Sequence, residues 1–242
     1  MSPIVSMLAI LAATGARPPL FPATAVPRLA RCPLPARKAT GRTSRAGRER
    51  TVSLMNLNVK GIIVPTVTPF NQRGELDLEA NARLVDFLIN HGIAGLFPAG
   101  TTGEGPMLTI SERQTLAAAT VEAAQERVPV IVHSGAITTA EHIQLTRHAQ
   151  ALGADAAAVI PPYVYGHTDE ALFQHFDAVA AAVPEFPIYL YNNPGVGNSN
   201  SLSLGLITRL VEARPNIIGI KDSSGSLGSL VRLADRYPGN FN

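Results

Sequence analysis

Short apolar runs recur along the chain at 62–67, 94–97, 129–132, 156–160, 187–190 and 217–220, spaced by about 30 residues. Between them the hydrophobic positions change to a helical period. The first helix is expected after Asp77, with Leu84, Val85, Leu88 and Ile89 on one face and a stop at Gly92. Thr109-Ile110-Ser111-Glu112 and Thr138-Thr139-Ala140-Glu141 both have capping-box spacing and open the second and third helices. Three further helices fit Asp169–Val183, Ser203–Ala213 and Leu227–Tyr237.

Nearly all-apolar strands that alternate with helices imply a parallel sheet covered by helices. A doubly wound dinucleotide-binding sheet would carry G-x-G-x-x-G after an early strand. Here the turn after the first strand reads Pro65-Thr66-Val67-Thr68-Pro69-Phe70, without glycine. The pattern therefore predicts an α/β fold of the (β/α)8 TIM-barrel class, with about six βα units in this chain. Phe241-Asn242 falls where a seventh strand would begin, and an unclosed sheet of six strands would expose two edges.

Composition adds one division. Of the 20 Lys and Arg and the 18 Asp and Glu, residues 1–50 hold nine basic groups and Glu49 alone. Residues 51–242 thus hold 11 basic and 17 acidic groups, net −6, so the overall +2 belongs to the leader. That leader, residues 1–58, is rich in Pro and Arg and is expected to be disordered. Three origins fit it: a gene start set too early, with Met55 the initiator; a targeting segment, organellar or plastid; or a tolerated tail. Its apolar start is too short to span a bilayer. The rest of the chain shows neither a basic patch nor stacking aromatics on a strand, so no nucleic-acid or membrane partner is expected. Cys32, the single cysteine, rules out an internal disulfide framework and a thiolate metal cluster.

Three polar clusters follow predicted strands, at the end where barrel active sites form. Gly100-Thr101-Thr102-Gly103-Glu104 combines small residues, two hydroxyls and backbone N–H groups, which suit a carboxylate; a purely structural glycine turn fits equally. Tyr191-Asn192-Asn193-Pro194 places a phenol at the mouth for proton transfer, or merely a rim tyrosine, and its asparagines read as turn formers. Lys221 ends Ile217-Ile218-Gly219-Ile220 and precedes Asp222-Ser223-Ser224-Gly225. A lysine at the end of a buried strand is partly desolvated, which frees its amine to attack a carbonyl. His91, His142, His148 and His175 fall in helices at spacings that make no metal triad, while His133 follows the third strand and can face the mouth.

The stretches GIIVPTVTPF at 61–70, GTTGE at 100–104, LYNNP at 190–194 and GIKDSSG at 219–225 resemble, in order and spacing, the dihydrodipicolinate synthase / N-acetylneuraminate lyase family of class I aldolases. The resemblance runs from about residue 59 to the end. It implies that Lys221 forms a Schiff base with pyruvate or a related 2-oxo acid, that Tyr191 shuttles the proton, and that Thr101 relays to it. It also implies that Thr102, with Gly100, helps hold the pyruvate carboxylate, and that Tyr163 is the first of the family's tyrosine pair. No metal or organic cofactor is implied. The implied partners are a small-molecule 2-oxo acid and an aldehyde, with assembly as a homodimer or homotetramer and a cytoplasmic location.

GTTGE resembles the synthase branch, in which the enamine adds to aspartate semialdehyde. Two positions depart from it. Val164 stands where that branch has the tyrosine that reaches across the dimer, with Tyr165 one residue away. Gly195-Val196-Gly197 lacks the arginine that grips the semialdehyde carboxylate. The alternatives are an aldolase or dehydratase for another, sugar-acid-like 2-oxo acid, or an inactive truncated paralogue.

Overall fold

The computed structural model describes residues 57, 59–196, 200–239 and 241. Apart from Leu57, the expected leader lies outside the described residues, as does Gly197. Six βα units follow one another: β1 Ile63–Pro65, α1 Leu78–Asn90, β2 Gly95–Phe97, α2 Ile110–Ala124, β3 Ile131–His133, α3 Thr139–Ala151, β4 Ala156–Val159, α4 Asp169–Ala181, β5 Ile188–Asn192, α5 Leu204–Ala213, β6 Ile217–Asp222 and α6 Leu227–Arg236.

Every ladder is parallel, and the strands lie side by side in chain order. β1 pairs with β2, and β3-β4-β5-β6 form a continuous sheet. A parallel bridge between Leu96 and Val130, with Leu96 N–H donating to the Pro129 carbonyl at 2.9 Å, joins β2 to the approach of β3. Strand order never reverses, so there is no switch point of the doubly wound kind. This is the α/β barrel arrangement expected from the hydrophobic pattern.

Alternation along the strands sorts side chains into two layers. Leu96, Val130, Val132, Ala157, Val159, Ile188 and Leu190 face outward and pack with Val85, Ala117, Leu172, Phe176, Leu206 and Leu210 of the helices. Each fully buried Val, Leu, Ile or Phe among them contributes about 1.5–3 kcal/mol, and each alanine less. Phe97, Ile131, Ala158, Tyr189, Tyr191 and Ile218 face the interior. The helices begin where their polar residues can take up free N–H groups. Thr109 and Thr138 both close complete capping boxes, with Glu112 and Glu141. α1 ends as expected: Gly92 follows it with φ +80°.

β1 ends at Pro65, where the turn was expected to begin and where the backbone has no N–H to donate. The far ends of the last two strands differ from the sequence expectation. β5 and β6 run two residues past their apolar stretches, because the ladder continues through Tyr191 opposite Lys221 and Asn192 opposite Asp222. The candidate catalytic pair therefore sits on strand backbone rather than on the loops beyond.

Candidate active site

Lys221 and Tyr191 are direct neighbours across the β5–β6 ladder. Side chains of paired residues on parallel strands share a face, and here that face is the barrel interior. A one-residue step makes this possible. Ile188 pairs with Ile217, but Tyr189 pairs with Gly219, so β6 accommodates one extra residue. Strict alternation from the outward-facing Ile217 would turn residue 221 outward as well. The irregularity at Ile218-Gly219 resets the parity, leaving Ile220 on the outer layer and Lys221 on the inner one.

The Lys221 ammonium lies 3.6 Å from the centre of the Tyr191 ring and 5.3 Å from that of Phe97. It also donates to Ser223 Oγ at 3.3 Å. Below it opens a cavity of about 290 Å³ walled by Ile63, Pro65, Phe97, Ile131, Tyr189 and Ile220. A larger hollow of about 690 Å³ lies toward the amino ends of the strands, around Pro129, Val130 and Asp155, and none of the predicted site residues lines it.

Tyr191 is 2% exposed. Its ring stands edge-on to Phe97 and to His133, with centroids 5.9 and 5.7 Å away. Its hydroxyl lies 3.3 Å from Thr101 Oγ1 and accepts from Asn193 Nδ2 at 2.9 Å. Burial raises the pKa of a phenol by favouring its neutral form, but hydrogen bonds from Lys221, Thr101 and Asn193, together with the ammonium charge, outweigh it and hold the Tyr191 pKa below its ordinary value.

Thr101 and Thr102 are exposed at the top of a turn whose glycines are dictated by packing. A Cβ on Gly100 would lie 2.6 Å from Phe97 Cε1, and one on Gly105 1.8 Å from the Ala99 carbonyl oxygen. Thr68 pins the turn from β1's side by donating to the Gly103 carbonyl. Glu104 adopts φ +55° at the entry to a short 3-10 turn and makes no side-chain cap bond. Gly100, Thr101, Tyr191 and Lys221 thus converge. Tyr163 stands apart: its hydroxyl donates to the Gly135 carbonyl at 3.4 Å, and burial raises its pKa against the nearby Arg113 charge.

His133, the last residue of β3, does turn inward, but as a buried neutral group. Its Nδ1 donates to the Ala99 carbonyl at 2.8 Å, and burial, then the Arg113 charge, hold its pKa well below the usual value. Val164 has φ +105° and is 51% exposed, with Tyr165 more exposed beside it. Val196 lies in the turn after β5, 38% exposed.

Four residues of this region have structural roles that the sequence does not signal. Arg113, buried on α2, donates to the carbonyls of His133 and Gly135 and so fixes the end of β3. Asn200 bonds the Pro162 and Tyr165 carbonyls at 2.8 and 2.7 Å and accepts from His167 N–H, clasping the loop that contains Val164. Asn193 is a direct neighbour of the Tyr191 hydroxyl rather than only a turn former, and Asn192 is a buried strand residue whose side chain accepts from Leu202 N–H. A polar residue that acts through long-range contacts looks like any loop asparagine until the chain is folded.

Among the described residues, no group of three or more His, Cys, Asp or Glu is placed to hold a metal ion, and no helix is long and apolar enough to cross a membrane. Fold and site together define a parallel α/β-barrel protein with a half-buried lysine set against a buried tyrosine at the carboxyl end of its sixth strand. The chain belongs to the Dihydrodipicolinate synthetase family, whose sequence model matches residues 58–242.

Among curated relatives it is 42% identical over 191 residues to the 4-hydroxy-tetrahydrodipicolinate synthase of Nitrosospira multiformis, covering 77% of this chain and 61% of that protein. Among solved structures, the synthase from Methylacidiphilum fumariolicum SolV matches with a TM-score of 0.73 and 35% identity, over 76% of this chain and 61% of that one. YagE, a prophage protein of the same family from E. coli K12 in complex with pyruvate, matches with a TM-score of 0.71 and 36% identity, over 74% and 61%. The chain spans about three fifths of the length of the curated relatives it matches.

Proposed function

We propose that this chain is a pyruvate-dependent class I aldolase of the 4-hydroxy-tetrahydrodipicolinate synthase type. The single observation that carries the proposal is Lys221 Nζ, 3.6 Å from the centre of a Tyr191 ring whose hydroxyl is in turn bonded to Thr101. The relatives' names and the pyruvate complex of YagE support the substrate. In the proposed reaction the neutral Lys221 amine attacks C2 of pyruvate, and the carbinolamine loses water to give an imine. Tyr191 gives and retrieves the protons in these steps, with Thr101 passing them toward the mouth. Loss of a C3 proton from the imine yields an enamine. Its C3 forms the new bond to the carbonyl carbon of an aldehyde, whose oxygen takes up a proton, and hydrolysis of the imine returns Lys221.

Thr102, with the Gly100 turn, is the proposed holder of the pyruvate carboxylate, and Tyr163 lines the approach of the second substrate. No organic cofactor or metal enters the scheme. Met107, Ile137, Val164 and Tyr165 expose apolar surface on successive loops at the mouth, which supports assembly with a second copy across that face. The reading is tested by proton NMR of pyruvate in D2O. The protein should wash deuterium into the methyl group through the enamine, and Lys221→Ala should not. Exchange that persists in Lys221→Ala, or that is absent from the folded parent, would overturn it.

A further inference from the structure

The Tyr191 hydroxyl oxygen is approached from three sides, and one neighbour has no place in the scheme so far. Thr101 Oγ1 lies 3.3 Å away and the Asn193 Nδ2 amide 2.9 Å away, while the Lys221 ammonium sits over the ring. A phenol oxygen donates one hydrogen bond and accepts two, whereas an amide nitrogen and an ammonium only donate. The Asn193 N–H fills one acceptor site of that oxygen and the ammonium over the ring adds its charge, so negative charge left on the oxygen when its proton passes to Thr101 Oγ1 is met by a donor already in place.

The placement of Asn193 is built into the strand. Residues 189, 191 and 193 share a parity, and Tyr189 and Tyr191 both face the interior. Pro194 restricts the preceding backbone to extended conformations, and Asn193 is held further by accepting from Val196 N–H at 3.1 Å through its carbonyl. The amide is thereby presented to the phenol from a fixed point. The lowered pKa of Tyr191, in spite of its burial, agrees with this arrangement.

We propose that Asn193 is a positioning residue for proton transfer: its amide N–H holds the Tyr191 hydroxyl in place beside Thr101 and stabilises the tyrosinate left when the phenol's proton departs. Its consequence for turnover rests on the imine chemistry proposed above, but its effect on Tyr191 does not. Aspartate and leucine both match asparagine in shape. Leucine removes the donor, and aspartate replaces it with an acceptor that repels a tyrosinate.

The test titrates tyrosinate absorbance in the free protein, which has five tyrosines and no tryptophan. Subtracting the Tyr191→Phe curve isolates Tyr191. Its titration should move to higher pH in Asn193→Leu and higher still in Asn193→Asp. Borohydride trapping of pyruvate at neutral pH should slow roughly 10- to 100-fold in Asn193→Leu, the loss expected for a hydrogen bond to a charged group, with the rate recovering as pH is raised. Should leucine disturb the turn, Asn193→Asp carries the test alone, since it keeps both shape and turn-forming oxygen. An unmoved Tyr191 titration in either folded variant, or a downward move in Asn193→Asp, overturns the inference. If titrations shift as expected while even the parent fails to trap pyruvate, the hydrogen bond stands and the proposed reaction falls.

Discussion

In the proposed reaction Val196 stands where the resemblance to the synthase branch implies an arginine for the second substrate's carboxylate. It sits in the turn after β5 and brings no side-chain donor. A charge-assisted hydrogen bond missing there is worth on the order of 2–3 kcal/mol, or about 30- to 150-fold in specificity. Assays of pyruvate with aspartate semialdehyde and with uncharged aldehydes should therefore show weak preference for the semialdehyde, and Val196→Arg should increase it. Strong semialdehyde specificity in the parent would refute this. Tyr191→Phe removes the proton-carrying oxygen while keeping the ring against Phe97 and His133, so it should fold and slow imine formation by roughly 10²–10⁴-fold. The residues of this site were unequally legible in the sequence. Lys221 and Tyr191 announce themselves because an ionisable or phenolic group ends an apolar strand. Arg113, Asn193 and Asn200 do not, since their partners lie on other segments or depend on a hydrogen-bond direction that only the fold supplies.

Helices α3 and α4 meet through a pair of buried imidazoles. The rings of His142 and His175 pack edge-on with centroids 4.4 Å apart. His142 donates from Nδ1 to the Thr138 carbonyl at 3.0 Å, and its Nε2 lies between Ala136 N–H and the Ile160 carbonyl. Burial lowers its pKa to about 4, against the opposing hydrogen bonds to the Thr138 and Ile160 carbonyls. Burial lowers that of His175 to about 3, with His142 and His167 adding to it. For groups whose folded pKa is depressed, the unfolded chain takes up protons first as pH falls. The stabilisation is therefore complete above the unfolded value near 6.5 and is lost as pH falls through about 4 and then 3. Thermal melts should show Tm dropping between pH 6.5 and 4, and His175→Leu should flatten that slope; a parent with constant Tm over this range would contradict the account.

Thr138→Ala, which opens a complete capping box, should cost about 1 kcal/mol in denaturant unfolding. Both capping boxes were readable from the sequence, because a cap is a local contact four residues long. The step at Ile218-Gly219 was not, because it exists only as a register relation between β5 and β6. Counting alternation from Ile217 alone would have turned Lys221 away from the cavity it lines.

Over the described residues the strands stand in the order in which they are encoded, so the fold was legible from the spacing of the apolar runs and the glycine-free turn after the first of them. What spacing could not show is how surfaces at the mouth are used. Met107, Ile137, Val164 and Tyr165 are all more than half exposed on loops that share one end of the sheet. If that face joins two copies, sedimentation should give an oligomer, and Ile137→Glu with Tyr165→Glu should lower its mass to that of one chain without unfolding it. A parent already sedimenting as one chain would remove this part of the account.

Whether Lys221 is the nucleophile is decided by mass mapping after borohydride reduction in the presence of pyruvate. A carboxyethyl group is expected on the peptide that contains Lys221, dependent on pyruvate and abolished in Lys221→Ala. Reduction that labels Lys60 instead, or that leaves Lys221 unmodified in the folded protein, would contradict it.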